Sequence, residues 1–238
     1  MMRITLLTTL KESTVLSHIL IFLLYLRGMT EMGKKAKSNT RKPRRNYLCV
    51  VEGQQEKMYL EHLCKLLGSS SINFNTVIKK PSHLKRSYIE YDSVCIFDYD
   101  FNKTEFENNL STCIELNKKN KQRNIYHAYS SACFDLWLIL HKKYFDKPVN
   151  TSQEYVDEVR NTFNLSKEAD IKSKNVIEKI LGKITITDVK DAIERAKIIC
   201  DRKLSGDAIH IGEYSYYPNP YFSIHKFIEI VLNQAETK

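Results

Sequence analysis

Short apolar runs alternate with helical patterns from Asn46 onward, and this alternation limits the chain to few fold classes. Apolar or alternating runs predict strands at 46–53, 72–78, 92–100 and 123–130. Patterns with a helical period predict helices at 54–68, 104–120 and 132–145. Thr104 and Glu107 have the spacing of a capping box at the start of the second helix. The order of these elements predicts an α/β domain over 46–147, with a mainly parallel sheet flanked by helices.

The remainder of the chain, 148–238, differs in pattern from the α/β part. After Pro148 only helical patterns remain, at 152–163, 174–181, 187–203 and 220–233. A chain of 238 residues with 42% hydrophobic residues is long enough to bury a core that includes both parts. We therefore expect a helical C-terminal region packed on the sheet.

Residues 1–45 are expected to be dispensable for the fold. Their apolar core, Val15–Leu26, is 12 residues long, whereas a spanning helix needs about 20. We therefore expect no stable membrane insertion, and Met32 is an alternative start. Six cysteines without metal-ligand spacing predict free thiols in a reducing compartment, which favours a cytoplasmic location.

Most of the net charge of +9 lies in a basic arm before the first strand. Seven basic residues follow Glu31 in this arm, namely Lys34, Lys35, Lys37, Arg41, Lys42, Arg44 and Arg45. Such an arm can bind a nucleic-acid backbone by releasing counterions. A solvated leader without a partner is the alternative interpretation.

Three carboxylates follow predicted strands. Glu52 ends the first strand, and Asp98 and Asp100 end the third with one residue between them. Side chains two apart on a strand point the same way, so Asp98 and Asp100 would repel each other without a cation. If the two strands are neighbours, all three carboxylates meet at one edge, where Mg²⁺ with its oxygen ligands would fit. Turn formation or helix capping is the structural alternative, above all for Asp100.

Four segments in order resemble the RloB family, which is similar to abortive-infection proteins of the AbiL type: VVEGQQEKMYLEHL, CIFDYD, SSACFDLWLILH and NPYFSIHKFIEIVL. The resemblance covers about 46–233. It implies a Toprim-like domain in which Glu52, Asp98 and Asp100 bind Mg²⁺ or Mn²⁺ for phosphodiester cleavage. It also implies a nuclease effector of phage defence that acts on DNA or RNA and is triggered by an AAA-type or SMC-like ATPase partner. Glu52 is then the candidate general acid or base.

Further residues are candidates for a supporting role around this site: Gly53, Glu56, Asp135, His141 and Lys172. Gly53 would let the backbone turn tightly beneath a phosphate. Asp135 stands where the family usually has glutamate, which shortens its reach by one methylene. His141 shares a helix face with Trp137, and a buried core pair is the alternative for both.

Two other functions compete with the nuclease hypothesis. The segment FDYDFNKT resembles the first motif of aspartyl-nucleophile phosphatases, but Asn102 replaces the threonine of that motif. A regulatory subunit with a degenerate metal site, docked on an ATPase, is the non-enzymatic alternative. The aromatic segment 214–222 predicts either a base-stacking surface or a packed loop.

Overall fold

Strands and helices alternate through the first half of the described chain. A computed structural model defines residues 45–68, 72–84, 91–203, 209–211, 214–216 and 220–236. The strands are β1 (Arg45–Val51), β2 (Ile72–Ile78), β3 (Asp92–Asp98), β4 (Ile125–Ser130), β5 (Ile209–Ile211) and β6 (Tyr214–Tyr216). The α-helices are α1 (Gln54–Leu66), α2 (Lys103–Lys119), α3 (Asp135–Leu140), α4 (Ser152–Phe163), α5 (Lys174–Leu181), α6 (Ile186–Lys203) and α7 (Ile224–Glu236). A 3-10 turn covers Pro81–His83.

The central sheet has four parallel strands in the order β2-β1-β3-β4. Its central strands are apolar because both faces are covered, and Val94–Phe97 of β3 are at most 2% exposed. The chain moves outward from β1 to β2, and it moves in the opposite direction from β3 to β4. The strand order therefore reverses between β1 and β3, which is the place where open α/β sheets bind ligands.

Helices pack on both faces of this sheet through aromatic side chains. On one face, Phe106 of α2 contacts Phe97 and Tyr129, with ring centroids 5.6 and 5.0 Å away. On the other face, Phe227 of α7 contacts Tyr47 and Tyr126 at 5.4 and 5.8 Å. The predicted parallel α/β sheet flanked by helices is confirmed.

The outer edge of β4 is covered by the segment that leads into α7. Ser223 donates its backbone N–H to Tyr129 O, and its hydroxyl accepts from Tyr129 N–H and donates to His127 O. The helix predicted at 220–233 begins at Ile224, because residues 221–223 form these extended bonds instead. The short antiparallel pair β5–β6 lies in the region that was predicted to be only helical.

Two predicted helix boundaries are corrected by local hydrogen bonds. The helix expected at 132–145 is shorter in the structure, where α3 has six residues. Before it, Ser130 Oγ donates to Cys133 O and forms a turn. After it, Lys142 N–H donates to Ile139 O in a 3-10 pattern. The capping box at Thr104 and Glu107 is wrong, because Asn102 is the N-cap and accepts from Glu105 N–H.

The predicted leader and the arm residues Lys34 to Arg44 lie outside the described residues. Arg45, which the prediction placed in the arm, is the first residue of β1, and it pairs with Ile72 of β2. Where the structure is described, no helix is long and apolar enough to cross a membrane. All six cysteines are free, as predicted.

Candidate carboxylate site at the carboxyl end of the sheet

Glu52 and Asp98 meet where β1 and β3 end side by side. The two strands pair in parallel, and Val51 lies opposite Ile96. The backbone N–H of Asp98 donates to Oε2 of Glu52 over 3.2 Å. The expected approach of the first strand's glutamate to the third strand's aspartate is therefore present in the structure.

Asn109 of α2 holds the other oxygen of Glu52. Its Nδ2 donates to Glu52 Oε1 over 3.3 Å, and its Oδ1 accepts from the backbone N–H of Ser82 in the 3-10 turn. Asn109 is 1% exposed, on the helix face that also buries Phe106 and Cys113. Sequence reasoning missed this residue, although a polar residue within a buried apolar stripe was a usable signal.

Glu56 lies in the first turn of α1, and it is 6% exposed. A Cβ on Gly53 would lie 2.8 Å from Glu56 Oε2, so the glycine leaves room for this carboxylate. The φ of Gly53 is −140°, which any residue can adopt. The glycine is therefore explained by the close approach of Glu56, and the predicted tight turn beneath a phosphate does not require it.

The start of α3 brings Asp135 and a backbone donor to the same place. The backbone N–H of Phe134 donates to Asp98 Oδ2 over 3.2 Å. Asp135 is 2% exposed, and its Oδ2 accepts from the Cys133 thiol over 3.4 Å. Glu52, Glu56, Asp98 and Asp135 are called the carboxylate cluster below.

The carboxylates of the cluster interact electrostatically. Burial raises the pKa of Asp98 well above its ordinary value, and the charges of Glu56 and Glu52 raise it further. Burial, with the charges of Glu52 and Asp135, raises the pKa of Glu56 to about 7. Burial also raises the pKa of Glu52 and of Asp135. The fold therefore disfavours ionisation of these four carboxyl groups together when no cation is bound.

Three buried oxygens of the cluster have no hydrogen-bond partner among the described residues: Asp98 Oδ1, Glu56 Oε2 and Asp135 Oδ1. Unpartnered carboxylate oxygens that repel each other are the donor set that a hard divalent cation would stabilise. Within the described ranges no three His, Cys, Asp or Glu side chains are arranged to hold a metal ion together. Mg²⁺ usually takes only one or two protein carboxylates and completes its shell with waters and substrate phosphates, so the donor set fits this ion.

Two lysines supply positive charge beside the cluster. The charge of exposed Lys172 lowers the pKa of both Glu56 and Asp135. The charge of Lys80 likewise lowers the pKa of Glu52, although Lys80 also forms an ion pair with Glu105. The structure thus places the predicted Lys172 near two of the carboxylates.

Asp100 stands apart from the hydrogen bonds of the cluster. Because β3 ends at Asp98, the strand rule that predicted a shared direction for Asp98 and Asp100 does not apply. Asp100 is exposed, with φ 41°, and its Oδ1 accepts from the Ser152 hydroxyl over 2.9 Å. Its charge still raises the pKa of Glu52, so Asp100 contributes negative charge at the rim.

His141 belongs to the core and not to the cluster. It is fully buried, and its Nδ1 lies 2.8 Å from Trp137 O while its Nε2 lies 3.1 Å from the Tyr59 hydroxyl. Since a carbonyl only accepts, Nδ1 carries the proton and Nε2 accepts from Tyr59. Burial lowers the pKa of His141 to about 4, and the ring is neutral at physiological pH. Trp137 and His141 therefore form the buried core pair that the sequence offered as the alternative to a site role.

The aromatic segment 214–222 packs inward where it is described. Tyr216, Tyr221 and Phe222 are 2%, 6% and 0% exposed. These three rings are therefore not available as a base-stacking surface.

One family comparison gives a match. The model of the family described as RloB-like protein matches residues 47–231, which include every residue of the carboxylate cluster. No curated protein and no solved structure matches the chain.

Proposed function

The chain belongs to the RloB-like family, and we propose that it is a metal-dependent nuclease with a Toprim-like domain. Its substrate is the phosphodiester backbone of DNA or RNA, and its cofactor is Mg²⁺ or Mn²⁺. The nuclease is a cytoplasmic effector of phage defence, and a partner ATPase of the AAA or SMC type triggers it.

The unpartnered oxygens of the carboxylate cluster carry this proposal. Asp98 Oδ1 and Glu56 Oε2 are buried without a donor among the described residues, beside the strand reversal between β1 and β3. Asp135 Oδ1 is also buried and makes no hydrogen bond of normal geometry, although the Gln55 amide is near enough to lower the pKa of Asp135. Burying carboxylate oxygens without donors costs free energy, and a ligand that pairs these oxygens would therefore stabilise the fold. Asp98, with Glu56 or Asp135 as a second ligand, is therefore the proposed metal-binding pair, and Asp100 adds charge at the rim.

The protein groups have separate roles in this proposal. Bound Mg²⁺ would neutralise charge on the phosphate and lower the pKa of a water. Glu52 accepts or returns a proton, since burial raises its pKa toward the range that general bases use. Asn109 fixes the orientation of Glu52 through Oε1. Lys172 supplies positive charge near the phosphate.

One observation favours a second function, a non-catalytic regulatory subunit of an ATPase complex. The described residues contain no three side chains arranged around a metal ion. Asp135, where the family usually has glutamate, is also a shorter carboxylate. In this alternative the cluster is a degenerate site, and the chain acts only by docking.

The experiment that separates the two functions uses cells that carry the gene for the full chain with its native flanking genes. After infection, nucleic-acid cleavage and phage protection are scored for wild type, Asp98→Asn and Asp92→Asn. Asp98→Asn should abolish both, because it removes a proposed metal ligand while keeping the size of the side chain. Asp92→Asn is the matched control, since Asp92 lies at the opposite end of β3, where it accepts from Asn124 N–H.

Association with the partner ATPase should be the same for all three proteins. If Asp98→Asn protects cells as well as wild type does, the carboxylate cluster is not catalytic and the regulatory function replaces the nuclease.

A further inference from the structure

Phe101 presents an aromatic ring to solvent beside the carboxylate cluster. Its residue is 43% exposed, whereas most other phenylalanines of the described chain are buried. Phe101 follows Asp98 by three residues, which limits the distance between their Cα atoms to about 11 Å. Among the described residues its one ring contact is an edge contact with Tyr99, with centroids 6.3 Å apart, and much of the Phe101 ring stays open to solvent.

The backbone holds Phe101 in an uncommon conformation. Asp100 and Phe101 have φ of 41° and 55°, in the left-handed region that bulky side chains rarely adopt. Three backbone bonds fix the loop, from Tyr99 N–H to Ser130 O, from Asp100 N–H to Ala132 O and from Asn102 N–H to Tyr99 O. The loop is therefore determined by the ends of β3 and β4, and such strain occurs often at ligand sites.

A shallow groove of about 340 Å³ begins at Asn102, the residue after Phe101. It is lined by Lys80, Ser82, Asn102, Thr104, Glu105 and Asn108. Asn102 belongs to both the Phe101 loop and the groove, and Ser82 is bonded to Asn109, which holds Glu52. The groove therefore borders both the Phe101 loop and the 3-10 turn that supports Asn109.

We propose that Phe101 is a stacking platform for an unpaired nucleobase beside the phosphate that the cluster cleaves. The inference rests on the proposed nuclease function, and it narrows the substrate class to single-stranded nucleic acid. A base inside a duplex is covered on both faces, so it can stack on a ring only after it leaves its neighbours, and every base has a face that fits such a ring. The adjacent groove then takes the base edges and sugars of the same strand.

The test measures binding of the full-length chain to short single-stranded DNA and RNA that contain 2-aminopurine, with EDTA present to prevent cleavage. Wild type should quench the fluorophore by stacking. Phe101→Leu, which keeps an apolar side chain on the same loop, should abolish the quenching and weaken binding about tenfold. Phe101→Trp should preserve both. For a strand with an abasic site in place of the stacked base, wild type and Phe101→Leu should bind equally.

Tyr144→Leu is the matched control for loss of an exposed ring. Tyr144 is 37% exposed, and its ring and hydroxyl contact Arg202 and Asp146. This variant should bind and quench as wild type does.

Three results would overturn the proposal. If Phe101→Leu binds the 2-aminopurine strand and the abasic strand as wild type does, and Mg²⁺-dependent cleavage is intact, Phe101 is not a stacking platform and the nuclease function stands. Tighter binding of a duplex than of a single strand would contradict the substrate class. If wild type binds and cleaves no nucleic acid, the nuclease function fails together with the platform.

Discussion

At the scale of single residues, Glu56 shows how burial and charge act together in this site. Its carboxylate is 6% exposed, faces Gly53 at close range and has one oxygen without a donor in the described chain. Its pKa of about 7 means that the folded protein binds a proton here more tightly than the unfolded chain does. A cation in the cluster would reverse that preference, because it favours the charged form.

This proton linkage predicts a specific pH dependence of stability without metal. The carboxylate of Glu56 destabilises the fold as pH rises from its ordinary pKa of 4.5 to about 7, and the effect is constant above that range. Wild type should therefore lose about 3 kcal/mol of unfolding free energy relative to Glu56→Gln over this interval. Urea unfolding of both proteins in EDTA, at pH 4.5 and pH 8, measures the difference.

Glu61→Gln is the matched control, since Glu61 is an exposed residue of the same helix α1. The unfolding free energy of Glu61→Gln should depend on pH as that of wild type does. Equal pH dependence for wild type and Glu56→Gln would contradict the account of a repelling cluster.

At the scale of elements, the site depends on how β1, α2 and the 3-10 turn are joined. Asn109 connects all three, since it binds Glu52 after β1 and the backbone of Ser82 in the turn. A hydrogen bond to a charged group contributes about 1.5–3 kcal/mol, and a buried partner left without it is destabilised. Asn109 is thus a positioning residue for Glu52.

Asn109→Ala should lower the cleavage rate, and it should shift the acidic limb of the pH–rate profile upward. The shift follows because Glu52 loses a donor that favours its charged form. The unfolding free energy should fall by about 1–3 kcal/mol. Glu115→Gln, at an exposed position of α2 outside the groove, should leave the rate and the profile unchanged. A slower rate with an unmoved profile would mean that Asn109 has only a structural role.

The sheet could be predicted from sequence because parallel strands covered on both faces form continuous apolar runs. The meeting of Glu52 and Asp98 followed from the same rule, since neighbouring parallel strands end at one edge. The position of Asp100 could not be predicted in this way. The strand ends before it, and Asp100 has a left-handed φ, because Tyr99 and Asp100 donate backbone bonds to Ser130 and Ala132, which are distant in sequence. The strands of β5–β6 have three residues each, too few for a period to appear.

The additional carboxylates of the cluster required the three-dimensional structure. Asp135 and Glu56 were only supporting candidates in the sequence, and their burial beside Asp98 depends on where α1 and α3 begin. Helical spacing also makes His141 a candidate, because spacing alone cannot distinguish a core histidine from one in a site. Its two hydrogen bonds make that distinction.

At the scale of the whole molecule, the basic arm and the carboxylate site are expected to bind the same polynucleotide. The chain has a net charge of +9, and most of the excess lies in Lys34, Lys35, Lys37, Arg41, Lys42, Arg44 and Arg45. Positive charge of this density attracts phosphates in a manner that depends on salt.

Deletion of residues 1–43 removes five of these basic side chains. If all five contact a single strand, the slope of log K against log salt should become less steep by about 3.5. The melting temperature should stay close to that of the full chain, because Arg45 and β1 are retained. Equilibrium binding over a salt series and thermal unfolding measure the two effects. An unchanged slope would show that the arm binds no phosphates, and a large fall in melting temperature would show that it supports the fold.

We propose that the carboxylate cluster holds a divalent cation, and thermal unfolding at increasing Mn²⁺ concentration measures this binding. Wild type should melt at higher temperature as Mn²⁺ is added, since a ligand of the folded state stabilises it by about 3 kcal/mol at about a hundred times Kd. In EDTA, Asp98→Asn should be as stable as wild type or more so, because one repelling charge is removed, and Mn²⁺ should not stabilise it further. Asp92→Asn should respond to Mn²⁺ as wild type does. Equal stabilisation of wild type and Asp98→Asn by Mn²⁺, or no stabilisation of either, would contradict the claim.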